Sequence, residues 1–347
     1  MKVDDKIIAK IKDRERQDFT TLFATMDEDF AVWDMSTSPV NGYDVDIRGK
    51  TKEHGSEIII ISNELRAFSD HVQSILASAE MQIIARLAEE RGEDKRDEIG
   101  KLERLLYFAL AKGDERLARI QLPPLRDTVI WHGNVRGCRA ARVLVYKKGN
   151  NVIFDLIPFD PRWLVYETGG SGLLWVSYTT YRDKEKLKTE WEHEAKQDRN
   201  NEVIEYWEQV DEEKFRNFVS CGDDYVKEPE IYSLPSMPVV IAPVATRPPA
   251  FNVTTQTQLR DYGQSIFAPA KNINAMRNRI ASIVANHANL LAQQPLINYK
   301  SLAGASIEST INVPSGVLEL VKGENELKPS PLQEISPTII GLLDWLT

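Results

Sequence analysis

The chain has 347 residues, with 43 Lys or Arg against 52 Asp or Glu and a formal net charge of −9. That length accommodates two or three modules, and an apolar fraction of 42% with 8% aromatic excludes wholesale disorder. The acidic balance argues against a simple basic nucleic-acid binder, and two cysteines, Cys138 and Cys221, make neither a disulfide framework nor a four-thiolate zinc site.

Along the chain, no apolar run approaches the ~18–20 residues of a membrane helix; Ile58–Ile61 and Val239–Ala242 are the densest patches. The N-terminus lacks the apolar stretch of a secretory signal, so the expectation is a soluble protein made in a reducing cytoplasm. Residues 1–120 are expected to be mostly helical, with a Ser/Pro/Gly-rich loop at Ser36–Gly42. From Ser62 to about Lys112, Leu65, Phe68, Val72, Ile75, Leu76 and Ala79 recur at helical steps. Residues 89–104 alternate in charge and read as a solvated helical face. After Pro123-Pro124 a further helix is expected from Thr128 towards Val145.

The period then changes. Asn151–Pro158 alternates, Trp163–Glu167 follows a Pro-containing turn, and the glycines of Glu167–Gly172 form a hairpin turn into Leu173–Thr179. Thr180-x-x-Asp183 resembles a capping box opening a short helix with Leu187, Trp191 and Ala195 on one face. Strands are expected at Glu202–Gln209 and Phe215–Cys221, and the prolines of Glu228–Pro249 mark an extended segment. Residues 121–255 therefore read as an α+β domain with a mainly antiparallel sheet.

Residues 256–293 hold Arg260, Lys271, Arg277 and Arg279 against a lone Asp261, a local +3 that leaves −12 elsewhere. A long helix is expected here, opening near Ser265 with Pro269 in its first turn and ending at Gln294-Pro295. Ile266, Ile273, Ile280 and His287 are spaced by seven, with Met276 and Ile283 on a second seam. Asparagines 272, 274, 278, 286 and 289 occupy its other faces. Such a narrow apolar stripe packs against neighbours, from its own chain or from other copies. Short strands follow at Leu296–Tyr299, Ser309–Val313 and Val317–Val321, and Ser336-Pro337 starts a second helix. The chain stops about three turns into that helix, which reads as a truncated C-terminus.

Motifs for chemistry are sparse. The five histidines are scattered without metal-ligand spacing, and Gly169–Leu173 completes neither a nucleophile elbow nor a phosphate-cradling loop. Asp155, Asp160 and Glu167 flank strands as the carboxylates of metal-dependent nucleases do. Against that, Asp160-Pro161 is a turn signal with no basic general acid nearby. No enzyme signature or cofactor fingerprint results.

One resemblance is more specific. Ile157-Pro158-Phe159-Asp160-Pro161-Arg162-Trp163, with Tyr166-Glu167 and the Arg182 to Lys188 step, resembles the wing of tailed-bacteriophage portal proteins. Tyr262-Gly263-Gln264-Ser265-Ile266 with Lys271-Asn272-Ile273-Asn274 is similar to the segment opening a portal stem, and Pro314-Ser315-Gly316-Val317-Leu318 to part of a portal clip. The resemblance covers roughly residues 60–347 and implies an α+β, portal-like architecture. It would comprise a helical N-terminal region (1–120), a wing with an antiparallel sheet (121–255), a stem helix (256–294), a small β-rich clip (295–335) and the start of a returning stem helix (336–347). It further implies a dodecameric ring at the capsid vertex, through which double-stranded DNA is packaged and ejected. Implied partners are the terminase large subunit, the major capsid or scaffolding protein and a head-completion adaptor, with no membrane and no cofactor. The location would be the virion, after assembly in the host cytoplasm.

The charge fits that implication, since a conduit should not grip DNA and each phosphate–cation contact adds affinity through counterion release. Lys271, Arg277 and Arg279 are the expected contacts, either to DNA in the channel or to neighbouring subunits. The alternative function is a metal-dependent nuclease or other head-associated hydrolase using Asp155, Asp160 and Glu167.

Overall fold

The computed structural model describes residues 3–36, 40, 58–84, 96–149, 151–170, 172–195, 197–244, 263–292, 296–300, 317–321, 326–329, 337 and 341. The chain forms two compact units, Met1–Trp33 with Arg66–Ala268, and Asp34–Leu65 with Pro269–Thr347. The expected N-terminal and wing regions thus share one unit, while 34–65 belongs with the long helix.

The first unit opens with α1 (Asp5–Arg14), a π turn at Glu15–Phe19, and α2 (Thr20–Asp34). Asp4 caps α1, its carboxylate accepting from the Lys6 N–H at 3.0 Å. Next come α3 (Glu64–Ser78), α4 (Arg96–Arg119) and α5 (Leu125–Arg136). Eight strands follow, interrupted by α6 (Lys184–Trp191). They are β1 (Cys138–Lys148), β2 (Asn151–Phe159), β3 (Leu164–Gly169), β4 (Gly172–Arg182), β5 (Asn201–Asp211), β6 (Lys214–Cys221), β7 (Asp224–Ser233) and β8 (Val239–Pro243). Two antiparallel sheets result, in orders β3-β4-β5-β6-β7 and β2-β1-β8. The architecture is α+β.

Side-chain alternation assigns each face of the larger sheet. Val165, Trp175, Ile204, Tyr206 and Phe218 pack with Phe19, Phe23 and Met26 of the N-terminal helices. The opposite face (Leu164, Val176, Trp207 and Phe215) packs on Ala140, Leu144, Phe159 and Val239 of the smaller sheet. Burial on both sides explains why Trp175 and Val176 of β4 are both apolar rather than alternating, while Leu174, nearer the hairpin, stays exposed.

Several expectations are corrected. The helix expected over 128–145 ends at Arg136 because Gly137 adopts φ 72°, a left-handed C-terminal position that suits glycine. A Cβ there would stand 2.7 Å from the Gln264 backbone. Thr180 does not cap a helix: β4 pairs with β5 as far as Arg182 opposite Asn201, so the sheet ladder claims it. The 228–249 segment contains two strands, and Pro229 is tolerated because β7 is an edge. The long helix, α7 (Lys271–Ala292), starts after Ser265 rather than at it. Residues 263–266 are tied to the α5–β1 junction instead, with Gln264 N–H on Val244 O and Ile266 N–H on Asn134 O, both at 2.9 Å.

In the second unit α7 precedes β9 (Leu296–Lys300), β10 (Val317–Val321) and β11 (Glu326–Pro329). Their order is β10-β9-β11, parallel for the first pair and antiparallel for the second. The expected strand at 309–313 lies outside the described residues, as do most of the 36–42 loop, residues 89–95 of the 89–104 charge run and most of the C-terminal helix. Pro337 and Gly341 of that helix are helical.

Candidate functional site

On α7, Ile273, Met276 and Ile283 are 55%, 51% and 50% exposed. At ~100° per residue they fall on one stripe with Ile280, the seam that heptad spacing predicts. Asn278, Ser282 and Asn286 lie about 140° around the helix and face residues 58–62 of the same unit. The polar side of α7 is therefore engaged within the chain, while Ile273, Met276 and Ile283 of the apolar seam stay half-exposed and Ile280 is partly buried. Of the three expected basic contacts, Arg277 forms an ion pair with Glu64. Arg279 is exposed and Lys271 half-buried, and each already interacts within the protein.

The first unit also leaves apolar surface uncovered. Leu102, Leu105, Leu106 and Phe108 of α4 are exposed, as are Val143, Val145 and Val240 on the outer side of the smaller sheet. Exposed apolar side chains of this kind are candidates for interaction with a partner.

The structure does not bring the three candidate carboxylates together as a metal site. Asp155 is buried and ion-paired to Arg142 and Arg116, each at 2.8 Å. Asp160 accepts from the Arg162 N–H at 3.0 Å, capping the turn Pro161–Trp163, and pairs with Arg136 at 3.3 Å. Glu167 accepts from Trp175 Nε1 at 2.6 Å. Among the described residues no group of three His, Cys, Asp or Glu is placed to hold a metal ion. Arg162 extends the role of this motif by holding Asp27 of α2 at 2.8 and 2.9 Å and stacking over Phe23. The Asp160-Pro161-Arg162 turn thus fastens the β2–β3 connection to the N-terminal helices.

Sequence reasoning passed over His132. It is buried on α5, 3.9 Å from Asp160 and beside Arg136, and its Nδ1 has no hydrogen-bond partner. Burial lowers its pKa below the ordinary 6.5, Asp160 opposes that and Arg136 reinforces it. The folded state thus resists protonation more than the unfolded state does. The stability contribution is complete above pH 6.5 and is lost as the pH falls below it, at up to about 1.4 kcal/mol per pH unit. Urea unfolding about one pH unit above and about one below 6.5 will show this acid loss in the wild type and a shallower one in His132→Phe. Equal slopes would remove His132 from the account.

The buried Cys138 thiol is pushed up to about 12 by desolvation, which fits a packing role rather than a nucleophilic one. Among models of known protein families none matches the chain, and no curated protein matches it.

Proposed function

We propose that the chain is a subunit of a portal-type ring, a channel at a phage capsid vertex through which double-stranded DNA is packaged and ejected. In this reading the protein performs no chemistry. It provides a docking platform for the terminase large subunit and a head-completion adaptor, is seated against major capsid or scaffolding protein, and is located in the virion.

The observation that carries the assembly is the half-exposed heptad seam of α7, Ile273, Met276 and Ile283, on a helix whose other side is occupied by its own chain. A seam of this kind fits a neighbouring helix, and a ring of copies supplies one to every subunit. The wing, stem and clip motifs supply the more specific name. The acidic charge of −9 supports a lumen that lets phosphate slide instead of gripping it. Among the described residues no helix is long and apolar enough to cross a membrane. No observation favours the hydrolase reading, because Asp155, Asp160 and Glu167 are all taken up by partners within the chain.

Native mass spectrometry of the purified protein tests the proposal. The expected result is one closed oligomer of about a dozen copies, held by repeated identical interfaces. A monomer at every concentration up to tens of micromolar would overturn it.

A further inference from the structure

The asparagines of α7 and the Ile58–Ile61 run have no role in the proposed channel, yet the structure joins two of them, Asn278 and Asn286, to residues 58–62. Residues 58–62 run extended along α7, antiparallel to it. Ile58 N–H donates to Asn286 Oδ1 at 2.7 Å while Asn286 Nδ2 donates back to Ile58 O at 2.6 Å. Ile60 N–H donates to Ser282 Oγ at 2.9 Å, and Ser62 N–H to Asn278 Oδ1 at 2.9 Å. The Ser282 hydroxyl proton goes to Asn278 O at 2.8 Å, the shorter of its two acceptor contacts.

This register has a simple physical origin. Two residues of extended chain advance about 6.6 Å and four residues of helix about 6.0 Å. Every second strand residue therefore meets every fourth helix residue across three contacts before the mismatch accumulates. A carboxamide carries a donor and an acceptor side by side, so Asn286 satisfies both main-chain groups of Ile58 as a neighbouring strand would.

Each of these hydrogen bonds goes to main chain, so the ladder places no demand of its own on the side chains of Ile58 and Ile60, which remain 40% and 39% exposed. Asn278 is almost fully buried, and its Nδ2 is a donor without a partner, leaving the ladder a further group to offer an extended chain.

We infer that Asn278, Ser282 and Asn286 form a receptor for peptide main chain. It takes one extended, proline-free segment, filled here by residues 58–62, and accepts the same segment from a second copy when its own is withdrawn. The inference does not depend on the ring.

Two measurements on the full chain test it. Amide-resolved hydrogen exchange on the wild type will find Ile58, Ile60 and Ser62 slowed at least about tenfold relative to Ile59 and Ile61, the pattern of alternate pairing. Asn278→Ala with Asn286→Ala will erase that alternation, and Ile58→Val with Ile60→Thr will keep it. Uniform protection, or alternation lost on the side-chain exchange alone, would overturn main-chain recognition. In the second measurement Ile60→Pro removes the N–H donated to Ser282 and vacates the ladder. A capped, fluorescent peptide of residues 57–63 will bind this variant, and at least about tenfold more weakly when Asn278→Ala and Asn286→Ala are added. The same peptide with proline at the Ile60 position will not bind. Absence of binding to an Ile60→Pro chain of unchanged helical circular dichroism would overturn the exchange. If that variant loses helix, peptide added in excess to the wild type must speed exchange at Ile58 and Ile60, and unchanged rates would overturn the exchange equally.

Discussion

Replacing Arg142 with Met is expected to lower the free energy of unfolding by about 3–5 kcal/mol, the cost of leaving buried charges without their partner. Arg142 lies between the two sheets, ion-paired to Glu205 and at 2.8 Å to Asp155. Burial by itself would lower its pKa, but Glu205 and then Asp155 outweigh burial and hold it above the ordinary value. After substitution Glu205 retains the Trp207 Nε1–H at 2.8 Å and Asp155 retains Arg116 at 2.8 Å. Neither replaces a guanidinium shared by both carboxylates. The control is the triple change Arg142→Met, Asp155→Asn and Glu205→Gln, which removes the charges together and recovers much of the loss. Urea denaturation of the two variants beside the wild type decides the matter. If the single and triple variants are equally unstable, lost packing of the arginine stem, and not uncompensated charge, is the cause.

The second large effect is on assembly. Ile273→Asp with Ile283→Asp is expected to disperse the oligomer while leaving the fold of the subunit intact, because both side chains are half-exposed in the isolated chain. Covering the half of each isoleucine that is still exposed contributes about 0.8–1.5 kcal/mol. Two losses per interface, with charge now desolvated as well, weaken each contact on the order of a hundredfold. Sedimentation velocity and circular dichroism together separate the outcomes. Dispersal with unchanged helical signal is expected; an unchanged oligomer would place the subunit contacts elsewhere, for example on the exposed apolar residues of α4 or of the outer sheet face.

Legibility in the sequence followed the range of the forces involved. Strands β2 to β6 were readable because alternation or a continuous β-branched run is local, and α7 because its seam repeats every seven residues. The α5–β1 change was missed because Arg139-Ala140-Ala141-Arg142 consists of good helix formers. What makes β1 a strand is pairing with β2 and with the distant β8. Asp155, Asp160 and Glu167 looked like ligands because their basic and indole partners come from other elements. The isoleucine run was visible as an apolar patch, but its attachment to α7 was not. Main-chain recognition leaves no side-chain pattern in the segment recognised. Of the candidate contacts, Arg277 gave no sign of Glu64 as its partner, because the two are separated by most of the chain.

The central claim is that many copies of this chain close around a channel. Negative-stain electron microscopy of the purified protein tests it most directly. The account predicts class averages of a ring with an open centre and rotational symmetry of about twelve. Particles that are compact, without a central opening, would contradict it.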